Sequence, residues 1–472
     1  MQKSKLLVEG EFVITMDKNR RVLKNAAVYV EDGKIVAVGS VDDLKSRYKA
    51  DQIIGGKGRI VMPGFINAHD HLFLALTRSL GDDLPLLDWL KESVFPAAIN
   101  LDENAFYVGA KLCLAEMVKS GITFFMDDSM QYVSFELEKA ADLVAQAVKD
   151  IGIGGIVGSG APDMNLDAGV PEVLIKDKET ILKTTVNLIN KYNRNPEHNI
   201  SIWADAGYPL WCSAELFKGL KRIADEYGTW IYTHAAEARD EVKITKRMTG
   251  KTSINYLDDL GVLDSNCQLA HVIWIDDEEL QKLSKTNTKI SHQPICNQFL
   301  ASGVARIPDM LKMGITVGLG IDDGGHSNED FFGLMKHCAL MHKVNRLDAT
   351  AITAEQVLEM ATIKGAEAVG MSETMGSLEV GKKANIIVIN QNKINLTPKL
   401  RPVTNLVYGA TAENVETTII DGNVVMENRY LHGIDESKVM EDAEKEAWKL
   451  VEKSGLEHLV TRSTQGWELP AI

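Results

Sequence analysis

The stretch VMPGFINAHDHLFLALTRSL (61–80) places two histidines, His69 and His71, directly after an apolar run. A short apolar run of this kind is typical of a buried β-strand, and residues i and i+2 of a strand point to the same face. Both imidazoles can therefore be directed at one point, as a shared metal ion requires. Such a pair also arises by chance, so its interpretation depends on the rest of the chain.

The middle of the chain, residues 61–370, alternates short apolar runs with helix-like segments such as ENAFYVGAKLCLAEMVKSG (103–121), where Gly121 is a stop signal. Together with RIVMPGFINAH (59–69), eight runs are predicted as strands, the others being GITFFMDD (121–128), GIGGIVGSG (152–160), ISIWADAG (200–207), TWIYTHAAE (229–237), CQLAHVIW (267–274), TKISHQP (288–294) and ITVGLGIDD (315–323). Eight strand–helix alternations predict an α/β fold, a (β/α)8 TIM barrel. A doubly wound open sheet is the alternative, but no GxGxxG motif follows the first strand.

Both ends of the chain are rich in strand patterns. Residues 1–60 contain KLLVEGEFVITM and AAVYVEDGKIVAVG, and residues 371–432 contain GKKANIIVIN and VETTIIDGNVVMENRYL, with Asp-Gly turns at Asp32 and Asp421. These segments predict one small β-sandwich built from both termini around the 61–370 barrel. Residues 433–472 are predicted as a helical tail, whose segment 436–455 is a charged amphipathic helix on the surface or packed against it.

Composition excludes several classes of protein. The 472-residue chain carries a formal net charge of −15, which argues against a nucleic-acid partner because such proteins cluster Lys and Arg. We find no run of ~20 uncharged residues, as a membrane span needs, and expect a cytoplasmic protein. The five cysteines are widely spaced without a CxxC pair, so we expect core residues rather than disulfides or a cysteine zinc site.

Polar residues recur at the ends of the predicted strands. His234, His271, His292 and Asp322 end the fifth to eighth strands, and the carboxyl ends of barrel strands carry the active site. Three imidazoles and one carboxylate suit a catalytic divalent ion with an open position for water, whose pKa the ion lowers. Most of the remaining histidines, which lie in predicted loops, helices or the tail, are expected to be structural; the six are His198, His326, His337, His342, His432 and His458.

Glu237 follows His234 by three residues in THAAEARDE, where the strand gives way to a helix. At a strand-to-helix turn, position i+3 can return over the site, and a glutamate beside an activated water can move a proton to a leaving group. The alternative is an exposed carboxylate at a helix start, where the helix dipole favours it.

At these residues the chain resembles the amidohydrolase superfamily, in the branch that includes methylthioadenosine and S-adenosylhomocysteine deaminases, guanine deaminase and the s-triazine aminohydrolases and chlorohydrolases. The resemblance covers nearly the whole chain and rests on PGFINAHDH (63–71), DDLPLLDWLKESVFP (82–96), HAAE (234–237), AHVIW (270–274), SHQPICNQFLASG (291–303), GLGIDD (318–323), MATIKGAEAVGM (360–371), GSLEVGKKANIIV (376–388) and IDGNVVMENRYL (420–431). The last two motifs are most similar to the melamine deaminase and atrazine chlorohydrolase group.

The resemblance implies one divalent ion per chain, zinc before iron(II), with the ligands His69, His71, His234 and Asp322. It also implies a homo-oligomer acting on a small N-heterocyclic substrate. The expected reaction is hydrolytic deamination of an amino-substituted purine, pterin, pyrimidine or s-triazine, with release of ammonia.

Further roles follow from the same resemblance. Glu237 is expected to shuttle the proton, His271 to polarise the attacking hydroxide or the tetrahedral centre, and Asp322 to act also as a base for water. Substrate contacts are expected from Trp89, His292 and Asn297.

The chain departs from the family pattern at four positions. Asp70 replaces the commoner Thr, Gln293 and Cys296 replace Cys and Ser, and Asn385 replaces an Asp. None of these changes removes an expected ligand. Asn385 belongs to the predicted β-sandwich, whereas the loops after the first, seventh and eighth strands line the substrate pocket, so the pattern does not identify the heterocycle.

Several alternatives stay open. The same attack serves dechlorination or dealkylamination of s-triazines, and a nucleoside deaminase is also possible, although the loop GSGAPDMN (158–165) offers Asp163 and no Arg for a carboxylate-bearing substrate such as S-adenosylhomocysteine. A binuclear hydantoinase-like enzyme would need a lysine on the fourth strand, which ends WADAGYPLW. A non-catalytic assembly protein would be expected to lose ligands.

Asp323 directly follows the expected ligand Asp322 in GLGIDDGGHSNED. Its carboxylate could accept hydrogen bonds from an exocyclic amine and help that amine to leave. The alternative is a turn-capping role, which is common for Asp before glycines.

Overall fold

The computed structural model describes residues 4–165, 169–195 and 198–461, which form two eight-stranded sheets and the helices around them. The strands are β1 (Leu6–Ile14), β2 (Val22–Glu31), β3 (Lys34–Ser40), β4 (Gln52–Pro63), β5 (Phe65–Asp70), β6 (Ile122–Asp127), β7 (Gly154–Ser159), β8 (Ile200–Asp205), β9 (Ile231–Ala235), β10 (Cys267–His271), β11 (Lys289–His292), β12 (Val317–Leu319), β13 (Ile386–Asn390), β14 (Val415–Ile420), β15 (Asn423–Glu427) and β16 (Tyr430–Leu431).

The helices lie mostly between the strands of the second sheet. They are α1 (Val41–Arg47), α2 (Leu86–Trp89), α3 (Phe95–Asn100), α4 (Glu103–Ser120), α5 (Leu137–Ile151), α6 (Lys178–Tyr192), α7 (Ala214–Tyr227), α8 (Arg239–Thr249), α9 (Ser253–Asp259), α10 (Asp277–Thr286), α11 (Pro294–Phe299), α12 (Ile307–Lys312), α13 (Phe331–Arg346), α14 (Ala354–Ala361), α15 (Ile363–Ala368), α16 (Pro402–Gly409), α17 (Glu436–Ser454) and α18 (Glu457–Val460).

Strands β5 to β12 form a parallel barrel in chain order. A parallel bridge between Asp70 and Asp322 connects the first and last strands at their carboxyl ends. The helix α4 ends as predicted, because Gly121 takes a left-handed conformation with φ 92° that glycine adopts at little cost. This arrangement confirms the predicted α/β class and the TIM barrel.

The other sheet has the order β16-β15-β14-β13-β4-β1-β2-β3, so it is built from both termini, as predicted. Asp32 and Asp421 both have positive φ and connect antiparallel strand pairs at the predicted turns. The predicted limits of the two β segments, 1–60 and 371–432, stay predictions, with β4 running to Pro63 and β13 beginning at Ile386.

The predicted helix near the C-terminus is present as α17, which contacts α4 and α3 and buries Val439, Ala443, Leu450 and Val451. It therefore packs on the barrel rather than extending from it. Within the described ranges, we find no helix that combines the length and apolarity needed to cross a membrane.

Candidate active site

The predicted polar residues meet at the carboxyl ends of the barrel strands. His69 lies on β5, His234 on β9, and His271 is the last residue of β10. His71 and Asp322 follow the ends of β5 and β12 rather than lying within them. One ligand atom from each of His69, His234, His271 and Asp322 lies within 4.8 Å of the others, so the barrel gathers groups that are up to 253 residues apart in the chain.

The backbone connection between β5 and β12 fixes Asp322 beside His69. The Asp322 N–H donates to the His69 carbonyl over 3.0 Å, and the His71 N–H donates to the Asp322 carbonyl over 2.8 Å. Gly320 is required there, because a Cβ at this position would lie 2.9–3.0 Å from His69 Cβ, N and O. The close approach of the two strands therefore depends on a glycine.

Each of four imidazoles uses Nδ1 for an anchoring hydrogen bond. The Nδ1 atoms of His71 and His234 lie 2.8 and 2.9 Å from the carbonyl oxygens of Asp128 and Gly207. Nδ1 of His69 lies 2.7 Å from the Tyr232 hydroxyl, and Nδ1 of His271 lies 3.0 Å from Asn297 Oδ1. Anchoring of this kind fixes the ring orientation and leaves Nε2 for a metal or substrate.

The carboxylate of Asp322 lies among these Nε2 atoms. Its Oδ1 is 2.8 Å from His69 Nε2 and 3.5 Å from His71 Nε2, and its Oδ2 is 3.7 Å from His271 Nε2. The backbone φ angles of Asp322 and His271 are 83° and 68°, in a region that costs about 1–3 kcal/mol for a non-glycine residue. Two of the residues that converge are therefore held in a backbone conformation that is unfavourable for a side chain.

The protonation states of these groups suit metal binding. Burial lowers the pKa of His69 to about 4 and also lowers the pKa values of His71 and His234, so all three imidazoles are neutral near pH 7. Burial acts to raise the pKa of Asp322, but His69 and His271 outweigh it and hold that pKa well below its usual range. Neutral imidazole and ionised carboxylate are the forms that bind divalent ions.

Further buried carboxyl groups surround the cluster. Burial raises the pKa of Asp127 to about 7 and also raises the pKa values of Asp128 and Asp205. Asp128 Oδ2 lies 3.4 Å from His234 Nδ1. A divalent cation would offset this concentration of buried acids, so the donor set and its surroundings fit such an ion.

Glu237 lies beside the imidazole cluster and is buried, not exposed at a helix start. Its Oε2 is 3.7 Å from His271 Nε2 and accepts a hydrogen bond from the Tyr208 hydroxyl over 3.2 Å. Burial raises the pKa of Glu237 to about 7. Burial also acts to lower the pKa of His271, but Glu237 and Asp322 raise it above its ordinary value. A carboxyl group with a pKa near neutrality is suited to moving protons.

A small pocket opens above these groups. Its lining residues are His71, Leu86, Trp89, Leu90, Tyr132, Tyr208, Trp211, His234, Glu237, His271, Cys296, Leu300, Asp322 and His326. The space between these side chains is about 20 Å³, room for about one water molecule. Substrate entry therefore requires movement of the side chains that cover the pocket.

The predicted substrate-binding residues lie at different depths. Trp89 lines the pocket. Asn297 lies one layer back and bonds to His271. His292 is fully buried, and its Nε2 lies 3.1 Å from that of His342. Asp323 accepts a hydrogen bond from the Gly325 N–H. The pocket lining given above contains neither His292 nor Asp323, and their predicted substrate contacts stay predictions.

The pocket is also lined by four residues that were not predicted as site residues, namely Tyr132, Tyr208, Trp211 and His326. The three aromatic residues follow the ends of β6 and β8. Their position after the carboxyl ends of barrel strands is the sequence signal that could have identified them. His326 was grouped with the histidines of predicted loops and helices, most of which were expected to be structural. The loop after β12 nevertheless brings it to the pocket.

Comparison with known proteins extends this description. The model of the amidohydrolase family matches residues 60–425, and a model of the imidazolonepropionase-like composite domain of bacteria matches residues 26–48. A 5'-deoxyadenosine deaminase of Methanosarcina barkeri is 36% identical over 94% of this chain and 98% of its own. A 5-methylthioadenosine/S-adenosylhomocysteine deaminase of Thermoanaerobacter pseudethanolicus is 33% identical over 95% of this chain and 100% of its own.

Solved structures share the fold. An adenosine deaminase from Xanthomonas campestris with bound zinc has a TM-score of 0.87 at 24% identity and covers 95% of this chain and 99% of its own. An atrazine chlorohydrolase from Arthrobacter aurescens with zinc has a TM-score of 0.82 at 23% identity, with coverage of 94% and 100%. The extent of the family match confirms the predicted resemblance, and the chain belongs to the amidohydrolase family.

Proposed function

We propose that this protein is a metal-dependent deaminase of adenine nucleosides that carry an uncharged 5' group. Relatives 33–36% identical over nearly the whole chain are deaminases of adenosine derivatives, in agreement with the predicted hydrolytic deamination of an N-heterocycle. The observation that carries the proposal is Glu237, a buried carboxyl group with a pKa near 7 whose Oε2 lies 3.7 Å from His271 Nε2, at the edge of the expected ligand cluster.

The metal ligands in this proposal are His69, His71, His234 and Asp322. When bound, a divalent ion supplies the Lewis acidity that makes water nucleophilic near neutral pH. Imidazole nitrogens and one carboxylate suit zinc, which we propose as the ion, one per chain. His271 is the imidazole with a raised pKa, which makes it a hydrogen-bond donor rather than a further ligand.

The protein side chains account for the proton movements of the reaction. The water oxygen bonds to the ring carbon that carries the amine, and Asp322 and Glu237 accept the protons of that water. Glu237 passes its proton to the adjacent ring nitrogen, and the proton accepted by Asp322 passes to the exocyclic amine, whose C–N bond then breaks to release ammonia. His271, whose pKa Glu237 and Asp322 raise, donates a hydrogen bond to the oxygen that has been added and stabilises its developing negative charge.

The pocket walls favour an uncharged, apolar substituent. Leu86, Trp89, Leu90 and Leu300 supply apolar surface, and the lining residues in the described ranges include no Lys or Arg. The amino-acid group of S-adenosylhomocysteine would be left without a cationic partner for its carboxylate, at a substantial desolvation cost. The indole N–H of Trp211 is buried without a hydrogen-bond partner in the described structure, and could donate to a purine ring nitrogen.

The test is ammonia release by zinc-reconstituted enzyme from 5'-deoxyadenosine, 5'-methylthioadenosine, S-adenosylhomocysteine, adenine, guanine and chloro- and amino-triazines. We expect the first two to have the highest kcat/KM and S-adenosylhomocysteine a lower value. A preference for free bases or for triazines would refute the nucleoside proposal. Faster turnover of the chloro-triazines than of the amino substrates would identify a dechlorinase instead of a deaminase. A homo-oligomer in the cytoplasm remains the expectation from the sequence.

A further inference from the structure

His326 has a side chain that is 2% exposed and lines the active-site pocket. Its ring packs against the rings of Trp89 and Phe299, with a centroid distance of 4.4 Å to each. Trp89 belongs to α2 and Phe299 to α11, so His326 is held by the segments over the barrel opening. The histidines at the bottom of the pocket instead contact one another. His326 is therefore a fixed part of the pocket roof.

The two ring nitrogens of His326 have different surroundings. Nδ1 lies 3.1 Å from Asp323 Oδ2, and Asp323 is itself fixed by the bond from the Gly325 N–H to its Oδ1. These two atoms are not aligned for a hydrogen bond, and Nδ1, Nε2 and Asp323 Oδ2 are all buried without a hydrogen-bond partner among the residues that the structure describes. Because a nearby carboxylate favours a proton on Nδ1, Nε2 is the nitrogen that is left as an acceptor. An orphaned buried acceptor of this kind is costly unless a ligand uses it.

We propose that His326 is a substrate-binding residue whose Nε2 accepts a hydrogen bond from a ribose hydroxyl group, with Asp323 as its positioning residue. The inference rests on the proposed nucleoside substrate. When the amine-bearing carbon of the purine is at Glu237 and Asp322, the sugar extends away from the ligand cluster toward the roof. The 2' and 3' hydroxyls are the sugar donors of a 5'-deoxynucleoside, and a hydroxyl group can donate to an imidazole nitrogen that carries no proton.

The test combines substrate analogues with variants of His326. The substrates are 5'-deoxyadenosine and its 2'-deoxy and 3'-deoxy analogues, and the readouts are kcat and KM for ammonia release. His326→Phe keeps the aromatic stacking and removes the acceptor, whereas His326→Gln keeps an acceptor. His337→Phe is the matched control, because His337 is exposed and bonds to Gln298 of α11 from outside the pocket. Metal content and thermal unfolding are measured for each variant.

We expect wild-type enzyme to lose about 10-fold or more in kcat/KM when one of the two hydroxyls is removed. His326→Phe should lose a similar factor in kcat/KM on 5'-deoxyadenosine, mainly through a higher KM. On the deoxy analogue to which wild type is sensitive, the variant should show no further loss. His326→Gln should recover part of the hydroxyl dependence, and His337→Phe should match wild type.

Additive losses in His326→Phe would overturn the proposal, as would hydroxyl dependence that is unchanged in both His326 variants. If His326→Phe is too unstable to assay, the hydroxyl dependence of His326→Gln decides. Wild-type enzyme whose kcat/KM is unchanged by the loss of either hydroxyl would also contradict the contact. Turnover of free adenine but of no nucleoside would refute the nucleoside function and this contact together. Turnover of nucleosides with additive losses would refute the contact alone.

Discussion

Replacing Glu237 by glutamine should stabilise the metal-free protein while it removes activity. Burial raises the pKa of Glu237 from 4.5 in the unfolded chain to about 7 in the folded protein. Between these values the folded state binds more protons, so stability falls as pH rises from about 4.5 to 7 and stays reduced above that range. At about 1.4 kcal/mol per pH unit, the penalty above pH 7 is about 3 kcal/mol. The nearly isosteric amide cannot ionise and avoids it.

The measurement is denaturant unfolding of chelator-treated wild type and Glu237→Gln at pH 5 and pH 8. We expect the variant to be more stable at pH 8 by about 1–3 kcal/mol and close to wild type at pH 5. In the zinc-loaded enzyme, turnover should fall by about 10²-fold or more, because the amide cannot carry a proton. A variant no more stable than wild type at pH 8, or unchanged turnover at neutral pH, would refute the reasoning for this residue.

Three further substitutions test the site. His234→Ala should lose the ion, which elemental analysis would detect as a fall from about one per chain; full occupancy would contradict the ligand assignment. Gly320→Ala should push β12 away from His69, destabilise the protein by about 1–3 kcal/mol and lower metal affinity, whereas unchanged unfolding and metal content would show that the strands can separate without loss. Asp323→Asn should lower ammonia release much more than thermal stability, because the amide oxygen can still accept the Gly325 N–H while the amide nitrogen replaces the carboxylate oxygen that lies 3.1 Å from His326 Nδ1; equal activity would leave capping as its only role.

The barrel could be predicted because its evidence is local. Each strand is a short apolar run that is followed by a segment of helical periodicity. Eight such strand–helix units are compatible with few folds other than the barrel. The C-terminal ends of the strands then identify His69, His234 and His271 without any knowledge of contacts. The predicted ends of the strands were less accurate, since β12 stops at Leu319, and Asp322, predicted to end this strand, lies three residues beyond it.

The loops could not be predicted in the same way, because their backbone is set by contacts far away in the chain. Glu237 illustrates the difference, since its sequence fits a helix-start carboxylate on the surface equally well. Its burial, and with it the raised pKa, depends on Tyr208 and His271 from other parts of the barrel.

The sequence by itself determined the fold class, the sheet built from both termini and the residues available for metal binding, because periodicity and strand-end position are properties of short segments. Only the tertiary structure decided which nitrogen of each imidazole is free, which carboxyl groups are buried, and that His326 rather than His292 reaches the pocket. Those properties arise where segments distant in sequence share a space from which water is excluded, and no segment carries them alone.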